Sequence, residues 1–454
     1  MPSHADVLKA TSTLGPMLTK IENATALSAL ILAALCLARS LAAMIVENEL
    51  AKRASLPALW SQCPNCGARI QSKGFRPRKV LTLLGTINWK RRVGRCPTKG
   101  CRHKQVVPLD EALNLTPHQQ ASNELKLVTS ALAVFVPFEV ASTLLWMLTG
   151  VNVSAGAIWQ WVQEAGQRAM QNLEHQLEKL ADEKAVDEEF LDPTVAALPL
   201  LMGADGVMAP FRPAAGTPEG KTVWREVKVA IFARLGKRTT RQGDETPRLM
   251  QRRLVAVLGS TAMLSRRMLL EALRQGMRTA KEVVWLSDGG RGFWTIYTER
   301  FAQYALGILD FYHAAENLWK AAVACLDGRT KDAKDWFVGA RHGLRHGDPD
   351  DVLYDIKRAL TTKGLPEPAR RVLGNLYEYL KRHREHIDYA KFKELGLPIG
   401  SGLVESACKW LIQQRFKGVG MRWSENGFNH LLHLRLAWVN SSFETLFLPV
   451  SPNV

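Results

Sequence analysis

The chain has 454 residues, enough for two or three domains, and 46% of them are hydrophobic, enough to bury ordinary cores. Sixty Lys and Arg stand against 43 Asp and Glu, a formal charge of +17, and an excess of that size favours a polyanionic partner, most commonly nucleic acid. Seven cysteines, an odd number, argue against a framework made of disulfides alone.

Residues 1–20 are mixed and polar, so no secretory signal is expected at the start. The first apolar run, residues 24–38, is interrupted by Arg39 and falls short of the roughly 20 residues of a membrane span. It reads as a buried or self-associating helix continuing toward Leu50, with no membrane partner.

Four cysteines then form two pairs, Cys63-Pro64-Asn65-Cys66-Gly67 and Cys96-Pro97-Thr98-Lys99-Gly100-Cys101. Each pair reverses the chain so that two thiolates converge, and two such knuckles joined by a hairpin supply the four soft ligands of a closed tetrahedral Zn²⁺ site. Two β-rich runs flank Gly85 between the knuckles, as expected of a zinc ribbon. Their polar positions are mostly basic, and Arg78, Lys79, Lys90, Arg91 and Arg92 are candidate contacts to a phosphate backbone. A zinc staple that only folds a small domain is the alternative. Cys36, Cys325 and Cys408 lie in apolar helical contexts and read as inert core residues.

Helices are expected over residues 116–135 and 138–148, then a third from an N-cap at Ser154, giving the outline of a helix-turn-helix unit. Its second helix would present Gln160, Gln163 and Arg168 to bases or phosphates. Residues 167–189 read as a charged connecting helix.

Residues 199–211 form an apolar strand carrying one carboxylate, Asp205, whose burial is costly unless something pairs with it or binds it. Strands over 224–235 and 254–258, a helix over 261–278, a strand ending at Ser287-Asp288-Gly289, a helix over 294–301 and a strand ending at Asp310 follow. The order β-β-β-α-β-α-β is that of a ribonuclease-H-like sheet, in which the first and fourth strands are neighbours, so Asp205 and Asp288 are expected side by side. A third carboxylate, Glu405, sits on a helix opened by Gly400-Ser401-Gly402. Helices near 331–341, 349–361 and 367–381 read as an all-helical insertion. The expected architecture is multidomain α+β. It comprises an apolar helical segment (1–56), zinc ribbon (57–110), helix-turn-helix-like region (111–190), catalytic core (191–320), helical insertion (321–396) and a closing segment with the last catalytic helix (397–454).

The motifs Asp205-Gly206, Ser287-Asp288-Gly289, Asp310-Phe311-Tyr312-His313 and Gly400-Ser401-Gly402-Leu403-Val404-Glu405-Ser406 resemble those of DDE transposases of bacterial insertion sequences. The arrangement is similar to the Mutator-like superfamily and to its Kra-type insertion-sequence family, over most of the chain. The resemblance implies Asp205, Asp288 and Glu405 as a metal-binding triad, with Asp310 and His313 orienting substrate or supporting the metal shell. Asp310 also ends an apolar strand, which leaves it as the alternative second member. Phosphodiester chemistry calls for charge stabilisation on both the attacking and the leaving oxygen, which two Mg²⁺ (or Mn²⁺) ions provide, and such hard ions prefer carboxylate oxygens. Arg415, Lys417 and Arg422 would contact phosphates near the third carboxylate. The expected partners are double-stranded DNA, both element ends and target, and further copies of the chain in a homo-oligomer. The expected place is the bacterial cytoplasm, on the nucleoid. A stand-alone ribonuclease-H-like nuclease and a catalytically inactive, domesticated DNA-binding regulator are the alternatives.

Overall fold

The computed structural model describes residues 4–57, 60, 62, 63, 65–101, 105–182, 186–213, 216, 221–239, 241, 243 and 245–447. The chain forms two compact units, one of residues 1–165 with 444–454 and one of residues 166–443.

The first unit contains α1 (His4–Glu22), α2 (Leu27–Ser55), β1 (Gln71–Thr82), β2 (Gly85–Arg95), α3 (Pro108–Ala112), α4 (Asn123–Phe135), α5 (Phe138–Thr149) and the start of α6 (Ala155–Lys179). Strands β1 and β2 pair antiparallel down to Thr82 and Gly85. Gly85 takes a φ of 102°, which a side chain would strain. Buried Val80, Ile87 and Trp89 make an apolar face on which Ala43 and Leu50 of α2 pack. Glu47 of the same helix accepts the Asn88 backbone N–H at 2.8 Å.

Helix α2 runs straight through Arg39, whose guanidinium lies against Gly150 at the C-terminus of α5, where a cation is favoured. Of the two expected alternatives, burial is not found over the first half of the helix. Leu27, Ile31, Leu32, Leu35 and Ile45 are exposed, as is Cys36, because only the later part of the helix packs on the hairpin. Among the described residues α2 alone is long and apolar enough to cross a membrane by length and composition.

Helix α4 starts later than residue 116 because the preceding chain is tied to β1: Leu81 N–H donates to Gln120 O, and Ser122 N–H to Leu81 O, both at 2.8 Å. Ser122 then caps the helix through Leu125 N–H. Gly150, at φ 65°, ends α5 in the left-handed conformation. Ser154 caps α6 through Ala157 N–H at 3.2 Å. The helix continues unbroken to Lys179, so the connecting helix expected from residue 167 is its later part.

The second unit contains α7 (Pro193–Ala196), β3 (Leu200–Phe211), β4 (Val223–Thr239), β5 (Glu245–Val257), α8 (Thr261–Arg274), β6 (Val283–Ser287), α9 (Arg291–Ile296) and β7 (Leu306–Leu309). Then come α10 (Phe311–Leu326), α11 (Lys331–His346), α12 (Pro349–Leu360), α13 (Glu367–Arg382), α14 (Tyr389–Glu394), α15 (Gly402–Cys408), α16 (Gln414–Phe416) and α17 (Glu425–Val439). The five strands form one mixed sheet in the order β5-β4-β3-β6-β7. Its first two pairings are antiparallel and the β3–β6 and β6–β7 pairings parallel. Strand β5 is longer than the apolar run 254–258 because its polar half pairs with the end of β4 beyond β3, as in Arg238 opposite Thr246.

Met202, Trp285 and Ile308 of the sheet share one continuous core with Leu264 and Met268 of α8 and with Leu344, Ile356 and Leu376 of α11 to α13. The stretch expected as a separate helical insertion is therefore packed into the core that supports the sheet. Arg384 at its end is committed to Asp350 and Asp348 within the helical layer.

Candidate functional site

Three aspartates align at one level of the sheet. The β3–β6 register closes on Ala204 opposite Ser287, and the β6–β7 register on Ser287 opposite Leu309. The next residue on each strand is Asp205, Asp288 and Asp310 in turn. With neighbouring strands about 4.8 Å apart, these backbones form a row across three parallel strands.

The members of the row differ in what their carboxylates are free to do. Asp310 is 1% exposed. Its Oδ1 accepts Tyr312 and His313 N–H at 2.6 and 3.0 Å, capping α10, and its Oδ2 accepts Ser401 N–H at 2.5 Å. Both oxygens are thus committed to backbone, which fastens the start of α10 to the loop that opens α15. Asp288 is half-buried, with Oδ1 taking Gly290 N–H at 3.0 Å and its carbonyl taking the Trp294 indole N–H at 2.6 Å. Gly289 beside it lies so close to the Tyr379 ring that a Cβ would fall 2.1 Å from it.

Glu405 stands on α15, near enough for its charge to act on Asp205. Val404 packs where a Cβ on Gly203 would come within 2.6 Å of its Cγ2, so the absent side chain lets α15 settle on β3. Gly203 and Asp205 share a face of the strand. Glu405 is half-buried and pairs with Lys409 at 3.8 Å.

The electrostatics tie these groups together. Burial raises the Asp205 carboxyl above its ordinary value, and the charges of Asp288 and Glu405 add to this against the Gly206 N–H and His313. His313 is pushed up to about 9, first by the Asp310 carboxylate 3.6 Å from its Nδ1 and further by Asp288 and Asp205. Burial works to raise Asp310, but the hydrogen bonds from His313 and Ser401 outweigh it and hold the carboxyl at about 2. An all-oxygen donor set in which the neighbouring carboxylates raise Asp205 calls for a hard cation, so the residues fit Mg²⁺ or Mn²⁺. Among the described residues these carboxylates do not close around one point, since only the cysteines bring three or more ligand atoms within 4.8 Å of one another.

That cysteine cluster lies in the first unit. Cys63 and Cys101 sulfurs are 3.6 Å apart and Cys66 and Cys96 sulfurs 3.4 Å, and all four lie within 4.8 Å of one another. These separations are too long for a disulfide, for which ~2.05 Å is required. They suit the edges of a tetrahedron with Zn–S near ~2.3 Å, so the four thiols could hold zinc. Gly67 N–H donates to Cys63 O at 2.8 Å, closing the first knuckle, and Gly67 and Gly100 both take positive φ. The Thr98 hydroxyl, then Ala68 and Cys96, lower the Cys66 thiol to about 6, whereas burial pushes Cys63 up to about 11.

Two of the expected DNA contacts are corrected. Arg91 is buried, with Nε donating to both Asp110 oxygens at 3.0 and 3.1 Å and Nη1 to the Arg76 and Pro77 carbonyls, so it holds the hairpin to α3. Arg415 is also buried, its guanidinium 5.4 Å from the Trp423 ring. Trp423 in turn pairs with the end of β3 through Arg212 N–H at 2.9 Å. Arg78 is half-buried beside Asp110 and donates to Thr116 O. Arg92 lies over Phe75 and Lys417 over Trp224. Gln163 is half-buried, while Lys79, Lys90, Gln160, Arg168 and Arg422 are exposed.

Sequence reasoning missed the part that two residues play in building the site. Ser401, through its backbone N–H, and Gly203 both act through distant partners. The capping role of Asp310 had a signal, an aspartate just before a helix.

No family model matches the chain. The chain is 24% identical to a UPF0236 protein in the vanSb 3′ region of Streptococcus gallolyticus, over 82% of this chain and 74% of the relative. Among solved structures it is similar to the Drosophila P element transposase strand transfer complex, at 11% identity over 72% of this chain and 80% of that one. The TM-score is 0.25, an overlap too loose to assign a fold.

Proposed function

We propose that the chain is a DDE-type transposase that binds the ends of an insertion sequence and carries out DNA cleavage and strand transfer, with Asp205, Asp288 and Glu405 as the metal-holding carboxylates. The observation that carries this reading is the alignment of Asp205 with Asp288 on adjacent parallel strands, with α15 lying over the same face of β3. The strand order β5-β4-β3-β6-β7, with two antiparallel and two parallel pairings, supports a ribonuclease-H-like reading, as does the motif pattern that resembles the Kra-type and Mutator-like transposases.

In this reading Asp288 rather than Asp310 is the second ligand, because both oxygens of Asp310 are occupied by backbone N–H groups. Mg²⁺ or Mn²⁺ bound at the carboxylates would stabilise charge on the attacking and leaving oxygens of the phosphodiester. Asp310 positions Glu405 by holding the Ser401 backbone. His313, charged at neutral pH, is placed to meet a phosphate oxygen near the row. Exposed Lys79, Lys90, Arg168 and Arg422 neutralise DNA phosphates and set the salt dependence of binding. The cysteine cluster holds Zn²⁺ and folds the ribbon, and the chain works as a homo-oligomer on DNA.

The test is a Mg²⁺-dependent cleavage and joining assay on DNA carrying the repeats that flank the gene. Wild type is expected to cut and join, Asp288→Asn to abolish both, and Asp310→Asn to lose activity in step with lost stability. End binding without cutting under any divalent metal would support the regulator instead.

A further inference from the structure

A cavity of about 550 Å³ opens beside the Asp288 turn, within the size range of small-ligand sites. Gly289 and Trp294 line it, and both also build the turn, Trp294 by its indole bond to the Asp288 carbonyl. Its inner wall is aromatic, built of rings tilted against one another, with Trp294 at 60° to His383 and 34° to His386. The Trp294 ring stands 4.5 Å from the His383 ring and 4.5 Å from the His386 ring. The Nδ1 of His386 is taken up by Gly307 O at 3.2 Å. His383, in contrast, is 3% exposed and its Nδ1 has no hydrogen-bond partner among the described residues. A buried ring nitrogen left in this way is costly unless a ligand or water meets it.

Burial, then His386 and Arg382, hold His383 down to about 4, so at neutral pH its ring is uncharged and offers one donor and one acceptor. The mouth is polar and exposed, with Arg382 and Thr298 among its residues. Arg291 adds a second cation and Glu299 a carboxylate. An aromatic wall, one buried unmet polar atom and cations at the entrance match a nucleobase with its phosphate outside.

We propose that this cavity takes one unpaired nucleobase of the DNA substrate, next to the phosphate addressed by Asp205 and Asp288. The inference rests on the proposed function and deepens it. A base held here anchors the strand one residue away from Asp288. Strands that are already unpaired, at an overhang or a nick, enter at the lowest cost because nothing has to be unstacked.

The test uses the full chain without added divalent metal and two short duplexes of equal length, one blunt and one with a single 2-aminopurine nucleotide overhanging. Wild type is expected to bind the overhang duplex about tenfold more tightly, with a change in 2-aminopurine fluorescence. Thr298→Trp fills the mouth from an exposed helical position and is expected to bring overhang affinity down to the blunt value. His383→Phe keeps an aromatic ring in the wall, removes the ring nitrogen and is expected to lose part of the preference. Thermal melting of each variant shows whether it has folded. Equal wild-type affinity for the two duplexes overturns the inference, as does a folded Thr298→Trp that keeps the preference. Failure to bind either duplex has a different signature, since it removes the proposed function and this inference with it.

Discussion

The two candidate metal centres follow opposite plans. The cysteine site is soft, closed and local, its four ligands lying between residues 63 and 101 with their sulfurs within 4.8 Å of one another. The carboxylate site is hard, open and non-local, drawing Asp205 from β3, Asp288 from the end of β6 and Glu405 from α15. A closed tetrahedron leaves no position for substrate, which suits a folding role, whereas an open carboxylate set leaves positions for reacting oxygens. The contrast predicts that damage to the first site unfolds protein and damage to the second stops chemistry in protein that stays folded.

The largest expected effect lies at the closed site. Cys63→Ser, or chelation, should take zinc from about one ion per chain to near none and melt the β1–β2 hairpin, read by elemental analysis and circular dichroism. A hairpin that melts normally without zinc would break the comparison.

At the open site, Asp205→Asn should lower cleavage by at least about 10²-fold while the melting temperature at pH 7 stays level or rises. The sign follows from the raised Asp205 carboxyl. Its stabilising contribution is full below the unfolded value near ~3.9 and is lost as pH rises through the folded value, so at pH 7 the charge works against the fold.

Asp310 should behave in the reverse way. Asp310→Asn leaves a cap for α10 but cannot also serve Ser401 N–H as a carboxylate does, and a loss of about 1–3 kcal/mol in stability is expected from denaturant melts. Because its carboxyl is held at about 2, that contribution is present above pH ~4 and fades between about 4 and 2. A smaller effect belongs to His313, raised to about 9 by the same carboxylate. Its stabilisation is full below about 6.5 and disappears as pH rises to about 9, so His313→Gln should flatten the stability profile in that window. Least of all, removing exposed Lys79, Lys90 or Arg422 should each reduce the salt slope of DNA binding by about 0.9.

The same contrast explains what the sequence made legible. The cysteine pairs are local, and their spacing carries the chemistry. Asp205 and Asp288 were legible because each follows an apolar run that ends in Asp-Gly, and the strand order then makes them neighbours. Arg91 and Arg415 were misread because an arginine beside other basic residues looks like a surface contact. The partners that bury them, Asp110 and Trp423, come from other elements. Strand β5 was read short because its polar half is held by backbone pairing with β4 beyond the sheet's core, where no apolar alternation marks it. Helix α2 was read as continuing past Arg39, as it does, but its burial was not legible, because the guanidinium's neighbour, Gly150, lies far along the chain.

The most direct test of the open site is a Mn²⁺ titration of the zinc-loaded chain followed by electron paramagnetic resonance, comparing wild type with Asp205→Asn, Asp288→Asn, Glu405→Gln and Asp310→Asn. The account predicts Mn²⁺ binding in wild type that is lost with the first three variants and retained by whatever fraction of Asp310→Asn stays folded. Equal binding by wild type and Asp288→Asn, with loss in folded Asp310→Asn, would contradict it.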